Sequence, residues 1–236
     1  MENTVKSTVV SPLKFPYATG YVDRPSGVRF IGYHPALFAQ QWQVYLAGLE
    51  RSYVARGIGA ILERASLESA DGVSLFLLGY AKDGECVAGI RFHGPLTSVD
   101  ETSLIVEMAS SPEIDLIRDT VNQACVEGAI EVKGLWSRGK EVVGSSLLVP
   151  MTRSILVAQE WLGVENAFAT VAQRMMPLCE TAGAFVVGEH SVAYPDDRYR
   201  TILGWYRLSL SPLICPSEYA EELESNLRQL GSAQVT

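Results

Sequence analysis

The sequence predicts an α/β, or α+β, fold: one twisted mixed sheet of about six or seven strands flanked by helices. Three observations predict it. Segments with helical periodicity alternate with strand-like apolar runs along the chain. A tight-turn hairpin lies early, which requires an antiparallel pair. The later strands are separated by helical segments, which requires crossovers. The 236 residues are 47% hydrophobic and 19% charged, enough apolar surface to bury a core and too much for a disordered chain.

Residues 1–30 are rich in Pro, Gly, Ser and Thr and read as an irregular lead-in, with one short strand over 28–33. Over 35–56, Leu37, Phe38, Trp42, Tyr45, Leu46 and Leu49 recur at spacings of three and four, the mark of an amphipathic helix. A shorter helical stretch follows at 59–69. The hairpin comes next: strands at 74–80 and 86–92 flank Lys82-Asp83-Gly84-Glu85, whose Asp-Gly pair accepts the positive φ of a tight turn. Ser111-Pro112-Glu113 opens a helix with a capping serine, an early proline and an acid near the positive end. Gly128 ends it, and 129–136 reads as a strand. Gly144-Ser145-Ser146 opens a helix that runs to Trp161 and stops at Gly163. Further strands are expected at 166–172, 185–187 and 200–211, with helices at 173–182 and 217–230. The expected organisation is a lead-in (1–30), a single main domain (31–211) and a C-terminal helix and tail (212–236).

The charge balance is 19 Lys and Arg against 27 Asp and Glu, a net charge of −8. A dedicated nucleic-acid binder would show the opposite balance. No apolar run approaches the roughly 18 residues that would span a membrane, and the N-terminus lacks the apolar core of a signal peptide. Cys86, Cys125, Cys179 and Cys215 form no CxxC pair, and His34, His93 and His190 are scattered, so neither disulfides nor a metal site is expected. A cytoplasmic location is the simplest expectation.

Three segments, in this order of elements, resemble the GNAT acyltransferase superfamily. The hairpin, with KDGE at its turn and VAGIRF on its return strand, looks like the family's second and third strands. Residues 129–144 look like its fourth strand and anion-cradling loop, and FATVAQRMMPLCETAGAF (168–185) looks like its fifth strand and following helix. Within the superfamily the chain most resembles the acyl-homoserine lactone synthase and N-acyl amino acid synthase branch, through Gly89-Ile90-Arg91 and Glu131. Two positions depart from the family pattern. The glycines of Arg138-Gly139-Lys140-Glu141-Val142-Val143-Gly144-Ser145 are spaced differently, and the late-helix tyrosine falls near Cys179.

The resemblance implies N-acyl transfer from an acyl thioester, acyl-CoA or acyl-carrier protein, to the amine of a small amino acid or derivative. It leaves open a non-catalytic GNAT-like ligand-binding module, or an acetyl-CoA-dependent acetyltransferase acting on a cationic amine. Transfer requires a proton acceptor for the amine, stabilisation of charge on the thioester oxygen, and a proton for the departing sulfur. Glu131, in the apolar context Ala-Ile-Glu-Val, is the candidate base if it points into a cleft, where burial would raise its pKa. Tyr199 and Tyr206 are candidate proton donors or packing residues. Arg138, Gly139, Lys140, Gly144 and Ser145 would cradle the donor's phosphates at a helix N-terminus. Arg91 would hold a substrate carboxylate or make a structural ion pair. Trp136 and Leu147 would line the acyl group or pack in the core. Lys133, Arg138, Lys140 and Arg153 would form the basic patch that an acidic carrier protein needs.

Overall fold

The computed structural model describes residues 13–58, 70–138 and 146–232. The expected helix at 59–69 and the loop residues Gly139, Lys140, Gly144 and Ser145 lie outside the described residues.

Eight strands form one sheet in the order β1-β2-β3-β4-β5-β6-β8-β7. They are β1 (Gly20–Asp23), β2 (Val28–Tyr33), β3 (Val73–Tyr80), β4 (Cys86–His93), β5 (Ala129–Ser137), β6 (Asn166–Ala172), β7 (Ala184–Ala193) and β8 (Arg200–Arg207). The eighth strand, β1, lies in the segment expected to be an irregular lead-in. Its Gly-Tyr-Val-Asp alternates, and Tyr21 and Asp23 are buried, but four residues among turn formers carry too little pattern to be read locally. β7 is longer than expected because Gly188, at φ +79°, lets it bend where its register with β8 shifts. β8 is shorter because Ser211-Pro212 begins a new helical turn.

The helices are α1 (Ala39–Ala55), α2 (Leu104–Glu107), α3 (Ile114–Val126), α4 (Leu148–Leu162), α5 (Met176–Thr181), α6 (Ser211–Ile214) and α7 (Ser217–Ser232). The one-turn α2 is absent from the sequence expectation. α3 begins later than Ser111 predicts: the Ser111 hydroxyl accepts from the Glu113 N–H, while the Glu113 carboxylate turns away to accept from the backbone N–H groups of Glu189 and His190. α4 is buried almost all round, so it forms a central layer rather than a surface helix.

The two sheet faces differ. One carries a continuous core in which α4, α5 and α7 pack on Phe30, Leu77, Ile90, Ile130 and Ala167. The other carries two separate apolar clusters. One gathers Trp42, Tyr45, Phe76 and Trp136 under α1; the other gathers Leu104, Ile117, Val121 and Phe168 under α2 and α3. Trp136 packs between Gly48 of α1 and Gly89 of β4, where an added Cβ would lie 2.1 and 2.6 Å from the indole. The same face carries the charged side chains of Arg91, Glu131 and Lys133.

All strand pairs are antiparallel except β5 with β6. That parallel pair is joined through α4, as a parallel crossover requires. Its ladder holds three rungs, Ala129 with Asn166, Ile130 with Ala167 and Glu131 with Phe168. Beyond Glu131 the strands part, although β5 continues to Ser137 and β6 to Ala172. On the opposite edge β5 bulges against β4 between the Arg91–Lys133 and Gly89–Trp136 pairs. Gly134 occupies the bulge at φ +58°, and its carbonyl accepts from the Tyr45 hydroxyl at 2.9 Å. A Cβ there would lie 2.2 Å from that hydroxyl, so both conformation and space require glycine.

Candidate active site

A cavity of about 480 Å3 opens on the split face, beside the point where β5 and β6 part. Alternation puts Arg91 and His93 of β4 on this face together with Glu131 and Lys133 of β5. Register sets His93 opposite Glu131 and Arg91 opposite Lys133. Glu107, from the end of α2, and Tyr194, just after β7, complete the polar wall.

Glu131 is 2% exposed. Its Oε1 accepts from the Ser103 hydroxyl at 2.8 Å and from the Ser103 N–H at 3.1 Å, and lies 3.8 Å from Lys133 Nζ. Burial pushes its pKa up and nearby Glu107 adds to this; Lys133 and Ser103 pull the other way without cancelling it. Burial acts against the Lys133 ammonium, but Glu107 and Glu131 together outweigh it and hold the pKa above the ordinary lysine value. His93 is driven down to about 3 by burial, then by Arg91 and Lys133, so its imidazole is neutral at physiological pH. The Tyr194 phenol is raised by burial and by Glu107, so it keeps its proton.

Arg91 is 7% exposed, and its Nε and Nη1 have no hydrogen-bond partner among the described residues; neither has His93 Nε2. The nearby carboxylates are engaged elsewhere: Glu131 by Ser103, and Glu107 by Lys133 and Thr170. A buried guanidinium with open N–H groups is costly, and an anionic ligand would offset that cost.

No family model matches the chain. An uncharacterized protein of Mycobacterium tuberculosis is 28% identical over 209 residues, covering 88% of this chain and 80% of that protein; one of Mycobacterium bovis matches to the same extent. Among solved structures, FeeM, an N-acyl amino acid synthase from uncultured soil microbes, superposes with a TM-score of 0.57 at 11% identity, covering 80% of this chain and 95% of FeeM. An uncharacterized protein from Bacillus halodurans superposes with a TM-score of 0.50 at 12% identity, covering 89% of this chain and 97% of the other.

The chain has the GNAT fold.

On this GNAT fold the residues singled out from sequence do not all meet. Glu131 and Arg91 share the cavity. Tyr206 lies on the other sheet face, fully buried beside Cys179, and burial pushes its pKa well up. Tyr199 lies at the β7–β8 connection, and its hydroxyl donates to the Arg56 carbonyl at 3.0 Å. Tyr194, five residues earlier in the chain, is the phenol that lines the cavity. Leu147 packs in the continuous core and Trp136 in the α1 cluster. Cys179, near which the resemblance would put a tyrosine, is core as well.

Of the expected basic patch, Arg153 is buried in an ion pair with Asp23, and Lys133 is half-buried in the cavity wall and paired with Glu107. Neither offers an exposed, uncompensated charge to a carrier protein. Arg138 remains on the surface, paired with Glu85, and Lys140 lies outside the described residues. Glu107, Ser103, His93 and Tyr194 were not identified as site residues from the sequence. The only local signal was at His93, two residues along the strand from Arg91 and therefore on the same face. Among the described residues, no helix is long and apolar enough to cross a membrane, and no group of three His, Cys, Asp or Glu could hold a metal ion.

Proposed function

We propose that the protein is an N-acyltransferase that moves an acyl group from a thioester, acyl-CoA or acyl-carrier protein, to the amine of a small amino acid or derivative. The observation that carries this reading is the buried Arg91 guanidinium, whose Nε and Nη1 have no partner among the described residues, beside Glu131 in the cavity where the strands part. Arg91 suits the carboxylate of the acceptor, since a guanidinium recognises a carboxylate bidentately. Glu131 suits the amine: its raised pKa makes it a better base than an ordinary carboxylate. The β5 edge beyond Glu131 has no strand partner on the β6 side and can offer backbone N–H groups to the thioester oxygen. As the amide C–N bond forms, the C–S bond breaks. The amine proton passes to Glu131 and from there to the departing sulfur, so no separate tyrosine acid is needed.

The donor end is assigned to Arg138, Gly139, Lys140, Gly144 and Ser145, ahead of α4. A second cavity of about 380 Å3 lies at the α4 N-terminus, between Ser146 and Arg153. The Ser146 hydroxyl accepts from the Leu148 N–H at 3.3 Å there, and a helix N-terminus favours a phosphate.

The test is product mass after incubating the full chain with acetyl-CoA, octanoyl-CoA or an acyl-carrier thioester. Glycine and tyrosine are offered as acceptors, each alongside its carboxamide. N-acyl products are expected, with the free acids reacting at least about tenfold faster than the amides, the discrimination that one charged hydrogen-bonded contact supplies. Arg91→Met is expected to abolish that preference by raising KM for the acids alone. Absence of any N-acyl product with every donor refutes the reading.

A further inference from the structure

One carboxylate reaches both parted strands. Glu107 Oε1 accepts from Lys133 Nζ on β5, and its Oε2 accepts from the Thr170 hydroxyl on β6. The last paired residues of the two strands are Glu131 and Phe168. Continuing the same register would pair Lys133 with Thr170. Glu107 therefore replaces the missing rung with a side-chain bridge, across the place where backbone pairing has been given up.

The bridge is anchored at Glu107. Glu107 is 8% exposed and ends α2, whose Leu104 and following Met108 are fully buried in the cluster under α3. Charge-assisted hydrogen bonds in such surroundings are strong and directional. Lys133 stays charged because it sits between two carboxylates, so the bridge persists across the neutral pH range. Thr170 contributes a short side chain that allows little variation in the separation of the strands.

We infer that Glu107 is a positioning residue that holds β5 and β6 at a fixed separation beyond their last rung. This rests on the proposed acyl transfer, which would place the thioester in the gap with the acceptor amine in the cavity. A fixed separation would keep the bound carbonyl aimed at the amine. Loosening the gap would slow transfer to the amine more than acceptor-independent hydrolysis, which needs no such aim.

The test uses the full chain as wild type, Glu107→Gln and Thr170→Val, with Thr170→Ser as the conservative control. Backbone hydrogen exchange reads the strand separation without any acyl chemistry. Amides of residues 132–136 and 169–172 are expected to exchange about tenfold faster in Glu107→Gln and Thr170→Val, while those of β3 keep their wild-type rates. Thr170→Ser, which restores the hydroxyl, is expected to match wild type. With acetyl-CoA as the probe, the ratio of acceptor-independent thiol release to N-acyl product is expected to rise about tenfold in the same two variants. Unchanged exchange at the parted strands, or equal acceleration across the whole sheet, overturns the inference. So does a fall in transfer with an unchanged ratio. If wild type yields no product with any donor, the proposed function fails, and hydrogen exchange alone decides whether Glu107 holds the strands.

Discussion

In the proposed transfer, Glu131 sets folding against reactivity. Its pKa is raised in the folded state, so its favourable contribution to stability is complete below the ordinary carboxylate value of 4.5 and is lost as pH rises through the raised native value. Once ionised, the carboxylate therefore costs stability, while in the proposed transfer it is the ionised form that serves as the base. Glu131→Gln keeps an oxygen for Ser103 and removes that cost. At pH 8 its melting midpoint is expected to equal or exceed that of wild type, while transfer falls by about 10²-fold or more. The acid limb of the wild-type pH–rate profile should lie above 4.5 and disappear in the variant. A lower midpoint at pH 8, or undiminished turnover, contradicts the assignment. Glu131 was legible as a candidate because a lone acid in an apolar strand is unusual. Glu107 was not, because nothing near it in sequence shows that its carboxylate meets Lys133 and Thr170.

Among the elements, α4 and the β1–β2 turn are tied by one buried ion pair. Arg153 donates to Asp23 Oδ1, and both side chains are almost wholly buried. Asp23 Oδ2 also accepts from the Ser26 hydroxyl at 2.6 Å, which shapes the turn between the strands. Asp23→Asn leaves the guanidinium without its counter-charge and is expected to destabilise the fold by about 3–5 kcal/mol. Replacing the pair together, Asp23→Leu with Arg153→Met, should cost much less than the single change, because no charge is then left alone. Chemical unfolding of the three proteins measures both values, and a single variant within about 0.5 kcal/mol of wild type would show that the pair is not what fastens α4. Most elements were legible from local pattern. The hairpin of β3 and β4, β6 and the αL stop at Gly163 appear where periodicity and glycine placed them. β1 and α2 were missed because four residues hold barely one period of any pattern.

For the whole molecule, the two ends of the chain complete one core. α7 packs on β1 and α4 and buries Tyr219, Leu223 and Leu230. Gln229 covers the open edge of β1 as a further strand would: its Oε1 accepts from the Val22 N–H at 2.8 Å, and its Nε2 donates to the Val22 carbonyl at 3.0 Å. Each large apolar side chain contributes about 1.5–3 kcal/mol on burial, so losing three costs about 5–9 kcal/mol against a typical total of about 5–15. Truncation after Pro216 is therefore expected to give a protein that elutes as aggregate on size exclusion and binds a hydrophobic dye, with the β1 edge exposed. A monodisperse, cooperatively melting truncated protein would show that the sheet is complete without α7.

The sequence by itself determined the layered α/β class, most of the strands and helices, and the carboxylate in β5 on which the proposed chemistry centres. These are short-range properties: alternation, helical spacing and turn chemistry all act within about ten residues. Only the tertiary structure decided which side chains share the site. Tyr206 and Trp205 are adjacent, yet one faces the continuous core and the other the split face, and that parity follows from register with β6 rather than from local sequence. Arg91, Glu107, Glu131, Thr170 and Tyr194 come from five segments, brought together by a parallel crossover and by the parting of the strands it pairs. Strand register and crossover are set by burial summed over the whole sheet, and no local window of the sequence contains that sum.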